Sequence, residues 1–154
     1  IGSGLVGSEM CIRDSEYSDN VGFDLSNLAE QVLFSWIIGN SDMHLKNFSL
    51  IKSDGKWGLS PAYDMLNVKL ALPNDSEELA LTLNGKGGTY QYTKVDFVKA
   101  FRTFGLTESA IDNLFARMIK AESKLCDFIT TSFLSVEMQN VFCGLIAERI
   151  GRLR

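Results

Sequence analysis

The chain has 154 residues, of which 45% are hydrophobic, enough to bury one core of ordinary domain size and too many for a disordered or fibrous chain. Its formal charge of -4, with both signs interspersed, excludes a broad basic surface for direct nucleic-acid or membrane binding. No apolar run approaches the ~20 residues that cross a bilayer and no charged start leads into an apolar leader, so a protein of the reducing cytoplasm is expected.

Residues 1–15, "IGSGLVGSEMCIRDS", have neither helical nor strand periodicity. The segment "LVGSEMCIRDS" resembles the translated sequencing-adapter peptides found at the ends of partial gene sequences. Residues 1–15 are therefore expected to be non-native or disordered, and a single domain is expected over 16–154.

Residues 23–39 read as a largely buried helix, because Leu25, Leu28, Val32, Leu33, Trp36 and Ile37 recur at three-to-four spacing. Asp24 or Ser26 is the expected cap and Gly39 the stop. A strand from Phe48 to Ile51, an Asp54-Gly55 turn and a strand from Trp57 to Leu59 predict a small hairpin. A further strand is expected over 79–83, followed by the glycine-rich stretch 84–88. That stretch lacks the spacing of a phosphate-binding loop and reads as a hairpin turn. From Thr93 the pattern turns helical. Thr93 and Asp96 form a capping box, Gly105 is a stop, and Thr107 caps a helix whose inner face carries Ile111, Leu114, Phe115, Met118 and Ile119. Ser135 caps a last helix with Val136, Val141, Leu145, Ile146 and Ile150 facing inward. Cys11, Cys126 and Cys143 lack the C-x-x-C spacing of a zinc knuckle or redox pair, and the last two are expected in the core. The fold class is mainly α, as α+β, with a β-hairpin inserted early.

The chemistry is concentrated in "GNSDMHLKNFSL", residues 39–50, between the first helix and the hairpin. Asp42 and Asn47 have D-x-x-x-x-N spacing, and the hairpin returns the chain to Asp64. An acid, an amide and a second acid in that order suit metal-dependent phosphoryl transfer. One carboxylate orients the attacking hydroxyl and takes its proton, while the other carboxylate and the amide oxygen offer hard ligands to Mg²⁺. Lys46 sets a cation where charge develops on the transferred group. The only histidine, His44, is either a positioner of the loop and its acid or a structural residue, and metal ligation by it is not expected. Asp42 and Asn47 could also be turn residues that bond only backbone. Tyr63 reads as a packed residue.

"GNSDMHLKNFSLI" followed by "WGLSPAYDMLN" resembles the carboxy-terminal part of HipA-type serine/threonine kinases, toxins of bacterial toxin-antitoxin pairs. The resemblance runs from about residue 23 to the end and is sharpest over 38–67. It implies a protein-kinase-like helical lobe whose hairpin carries the catalytic and metal-binding loops. Asp42 would be the catalytic base, with His44 and Lys46 beside it, and Asn47 and Asp64 would hold Mg²⁺ and, through it, ATP. It also implies a protein hydroxyl as acceptor, on an aminoacyl-tRNA synthetase in some members, and a small helix-turn-helix antitoxin as partner. Asp64 stands at the Asp of the Asp-Phe-Gly motif, but Met65 and Leu66 follow it, without the glycine hinge. A glycine-rich nucleotide loop and phosphate-binding lysine are not found before Asp42, so the chain is expected to lack the nucleotide lobe and to be inactive alone. The D-x-H-x-x-N spacing also resembles phosphatidylinositol kinases, which leaves a lipid or small-molecule kinase as one alternative and a noncatalytic partner-binding lobe as another.

Overall fold

The computed structural model describes residues 18–154, so the expectation for residues 1–15 lies outside the described residues. Helix α1, Val21–Ile38, forms where the apolar three-to-four spacing is densest, and it buries Leu28, Val32, Leu33, Trp36 and Ile37. Gly39 ends it in the left-handed region at φ 79°, and the Asn40 N–H closes back on the Ser35 carbonyl at 2.9 Å. The start differs from the expected caps. Asn20 occupies the cap position, Ser26 donates its hydroxyl to the Gly22 carbonyl, and Asp24 is buried inside the first turn. Asp24 serves a distant element instead, accepting the Leu59 N–H at 3.0 Å and the Ser18 hydroxyl at 2.5 Å.

Leu59 closes the hairpin. Strands β1, Leu50–Ser53, and β2, Lys56–Leu59, pair antiparallel from Leu50 with Leu59 to Ser53 with Lys56. Asp54 and Gly55 turn between them with φ of 51° and 81°, the positive pair that a two-residue hairpin loop requires. A short helix α2, Val68–Ala71, is capped by Asn67, whose side chain accepts the Leu70 N–H. The strand expected over 79–83 is not formed. Leu79, Leu81 and Leu83 alternate inward as strand residues do, but among the described residues this stretch pairs with no neighbouring strand, and only a bridge between Leu83 and Lys86 closes the Asn84-Gly85 turn.

Helices α3, Lys94–Thr103, α4, Glu108–Thr130, and α5, Val136–Gly151, complete the element order. The Thr93 and Asp96 capping box is present, and Thr107 and Ser135 accept the Ala110 and Met138 N–H groups. The core stacks Trp36 on Phe97 at 4.9 Å between ring centres, then Phe97 on Phe101 and Phe101 on Phe115, which joins α1, α3 and α4. On α5 only Ile146 and Ile150 of the expected inward set are buried. Leu145 is half-buried, while Val136 and Val141 are 71% and 55% exposed, because the face that α5 turns to the core carries Phe142 and Cys143 instead. Cys126 and Cys143 are both half-buried rather than fully enclosed, Cys143 packing against the edge of the core. Burial, with the neighbouring Cys143 thiol, pushes the Cys126 thiol up to about 12, which leaves it a poor nucleophile. Among the described residues the fold is five α-helices and one two-stranded antiparallel hairpin, and no helix is long and apolar enough to cross a membrane.

Candidate active site

The left-handed turn at Gly39 ends α1 and starts the loop. Asn40, Ser41 and Met43 are buried behind it, and Asp42 between them is exposed. Met43 is fully buried and pins the loop from inside, so the loop presents its polar residues on one edge. There His44 Nε2 lies 2.9 Å from Asp42 Oδ1, both side chains open to solvent. A single 3₁₀ turn, Leu45–Asn47, follows, and the buried Asn47 reaches both ways from it. Its Oδ1 accepts the His44 N–H at 3.1 Å, and its Nδ2 donates to Asp64 Oδ2 at 2.9 Å.

Asp64 is itself held from two sides. Its backbone sits at φ 56°, a region that Asp enters more readily than most residues. Its carbonyl accepts the Asn40 side-chain N–H at 3.0 Å, so the loop leaving α1 and the loop leaving the hairpin are stitched together at the base. The structure thus brings the predicted residues together as two pairs, Asp42 with His44 and Asn47 with Asp64. Lys46 is exposed and forms no ion pair among the described residues. Its contribution in place is its carbonyl, which accepts the Tyr63 hydroxyl at 3.0 Å. Tyr63 is accordingly half-exposed and tethers the two loops, which differs from the packed role expected of it.

Further supports come from residues that the sequence did not single out. The Ser41 hydroxyl donates to Asp75 Oδ2 at 2.5 Å, and Lys69 binds both the carbonyl and the carboxylate of Asp75. Burial alone would raise the Asp75 carboxyl, but the Ser41 hydroxyl, the Glu77 N–H and the Lys69 ammonium outweigh it and hold the group below the usual range. Beneath the site, Arg149 of α5 donates to the Trp36 carbonyl, and Glu78 accepts from the Trp36 indole, the Tyr92 N–H and Arg152. No local motif marks these partners, because Ser41 and Asp75 are 34 positions apart and Trp36 and Arg149 are 113 apart.

Asp42 and His44 form one wall of an open cleft of about 470 Å³, completed by Ser41, Leu66, Leu72 and Asp75. A second cleft of similar volume lies on the other side of the loop, between His44, Lys46 and Thr82. Among the described residues no group of three or more His, Cys, Asp or Glu side chains is placed to hold a metal. The nearest arrangement to a cation site is therefore one carboxylate, Asp64, beside one amide, Asn47. Asp64 offers its carboxylate oxygens, and Asn47 Oδ1, which faces the His44 N–H while the amide nitrogen faces Asp64, keeps a second lone pair. That donor set fits Mg²⁺, which binds through one or two protein oxygens and keeps water and phosphate oxygens for the rest.

The family model described as "HipA-like C-terminal domain" matches residues 10–125. A protein of Haemophilus influenzae named "Putative kinase" is 26% identical over 134 residues, covering 77% of this chain and 39% of that protein. One of Sinorhizobium fredii named "Putative kinase Y4mE" is 26% identical over 136 residues, covering 85% and 32%. A second from Sinorhizobium fredii, "Putative kinase Y4dM", is 51% identical over 45 residues, which are 29% of this chain and 11% of that protein. The chain thus spans well under half the length of these relatives. With helices, hairpin and loop in the expected order and the family match running through most of its length, the chain belongs to the HipA-like C-terminal domain family.

Proposed function

We propose that this chain is the helical catalytic lobe of an ATP- and Mg²⁺-dependent serine/threonine protein kinase. The observation that carries the reading is the pairing of Asn47 with Asp64 directly beside the loop that exposes Asp42. Phosphoryl transfer needs those two functions adjacent and distinct, a proton acceptor for the incoming hydroxyl and oxygen ligands for the metal.

Asp42 accepts the proton of the acceptor hydroxyl. It is exposed on the cleft wall, and the contact at its Oδ1 with His44 fixes the rotation of the carboxylate. Asn47 and Asp64 would hold Mg²⁺, which when bound neutralises the nucleotide phosphates. Lys46 lies on the opposite cleft, free to approach an anionic group. The family and the names of its relatives support the kinase class. Family membership is also the support for a cytoplasmic toxin that acts on a protein hydroxyl, on an aminoacyl-tRNA synthetase or a similar acceptor, with a small helix-turn-helix antitoxin as partner.

The test is phosphoryl transfer from ATP to protein, in the protein at the length of its relatives. Asp42→Asn is expected to lower turnover by ~10²–10⁴-fold with nucleotide affinity nearly unchanged. Asp64→Asn is expected to raise the magnesium concentration needed for nucleotide binding. In the 154-residue chain itself, a magnesium titration followed by amide NMR should move Asn47 and Asp64 first. Unimpaired turnover in Asp42→Asn would overturn the assignment.

A further inference from the structure

Helix α1 ends inside the molecule, with the Trp36 carbonyl of its last turn meeting α5. Cations are favoured at that end of a helix, yet the last turn of α1 has no basic residue of its own. Helix α5 supplies one. Arg149 is 2% exposed, its Nη1 donates to the Trp36 carbonyl at 2.6 Å, and its guanidinium lies 5.0 Å over the Trp36 ring. The carboxylates near it are more distant, Glu78 Oε1 at 3.9 Å and Glu148 Oε2 at 4.0 Å, and Nε has no acceptor among the described residues. A buried cation held chiefly by one carbonyl is an expensive way to gain stability. The Trp36 carbonyl is also the acceptor of the Gly39 N–H, at 3.1 Å, in the turn that launches the loop of Asp42. One turn earlier on α5, Leu145 packs so closely on Gly39 that a Cβ there would lie 2.6 Å from its Cδ2.

We infer that Arg149 is a positioning residue for Asp42: by holding the Trp36 carbonyl it fixes the left-handed turn at Gly39, and with it the direction in which residues 40–42 leave α1. The use made of Asp42 rests on the kinase reading, whereas its placement by Arg149 does not. Glu78 and Arg152 complete the arrangement, since their 2.6 Å ion pair keeps the Glu78 carboxylate beside Arg149. The loop is thus aimed from the far end of the chain.

The experiment uses the 154-residue chain, with Arg149→Met, Arg149→Lys and a core control in the same helix, Ile146→Val. Amide exchange of Gly39 and Asn40 is compared with that of Phe115 in the core, and the ring signals of His44, the only histidine, report its contact with Asp42. Arg149→Met should speed exchange at Gly39 and Asn40 at least ~10-fold beyond any change at Phe115, as expected of local rather than global opening, and should shift the His44 signals. Arg149→Lys, which keeps a cationic donor, should recover part of both effects and serves alone if the Met variant does not fold. Ile146→Val should change the loop and core amides together. Loop exchange that tracks the core in both Arg149 variants, with His44 signals unmoved, would overturn the inference and leave the kinase reading intact. Failure of phosphoryl transfer in the longer protein would do the reverse.

Discussion

At Gly39 two separate demands meet, a positive φ and a close neighbour. Alanine there would sit at φ 79° with its Cβ 2.6 Å from Leu145 Cδ2 and 3.1 Å from Asn67 Oδ1. Gly105 faces only the first demand, since its φ is 86° and a Cβ would meet none of the described residues within 4 Å. Gly105→Ala is therefore expected to cost the ~1–2 kcal/mol of a left-handed L-residue. Gly39→Ala should cost about 1 kcal/mol more, at the low end of overpacking because Leu145 can turn its methyl aside. Denaturant unfolding of the two variants side by side measures the difference, and equal losses would show that the contact with α5 carries no weight. The same scale explains which site residues were legible. The candidate residues Asp42, His44, Asn47 and Asp64 lie in two short stretches, where residue type and spacing alone single them out. Asn40, Asp75 and Arg149 each reach the site through a hydrogen bond to a partner distant in sequence, Asp64, Ser41 and Trp36, and nothing in their own neighbourhood encodes those bonds.

Among the elements, what is governed within four residues could be read, and what depends on a remote partner could not. The capping box of Thr93 and Asp96 and the Asp54-Gly55 turn are local and formed as expected. The stretch over 79–83 kept the alternation of a strand without the ladder, because alternation is a property of the sequence and a ladder needs a second strand. Asp24 illustrates the cost of misreading a local signal. It has the chemistry of a cap, but its buried carboxylate accepts the Leu59 N–H and so fastens the end of β2 to α1. Asp24→Ala is expected to destabilise the protein by ~1 kcal/mol or somewhat more, the cost of leaving a half-buried donor unpaired. Hydrogen exchange gives the element-level check. The Leu59 amide should lose protection well before those of α4, and uniform loss across both would place the role of Asp24 in the helix rather than in the hairpin.

Across the whole molecule, Glu78 is the point where separate parts of the chain meet. It lies in the irregular segment before α3, yet it accepts the Trp36 indole N–H from α1 at 2.8 Å, the Tyr92 N–H at 3.0 Å and Arg152 of the α5 end at 2.6 Å. A glutamate inside the apolar run "SEELALTL" gave no sign of this, since its partners come from both ends of the chain. Burial alone would raise the Glu78 carboxyl, but the bonds from Arg152, Trp36 and Tyr92, with the nearby charge of Arg149, outweigh it and hold the group below the usual carboxylate range. Its folded pKa therefore lies below its unfolded value near 4.3. Between the two the unfolded chain binds the extra proton. The contribution to stability is thus complete above the unfolded value and is lost as pH falls through the folded one. Asp75 and Asp96, held low in the same way by Ser41 with Lys69 and by Lys86 with Thr93, add to the same acid-side slope. Glu78→Gln removes the charge that faces Arg149 and Arg152, so at neutral pH it should cost the ~3–5 kcal/mol typical of breaking a buried ion pair from one side. As pH falls the wild-type carboxylate is itself neutralised, so the gap between the two proteins should narrow. Thermal unfolding of both from pH 7 down to pH 3 decides the matter: convergence in acid places the linkage at Glu78, whereas two curves that stay parallel would assign the acid sensitivity to Asp75 and Asp96 instead.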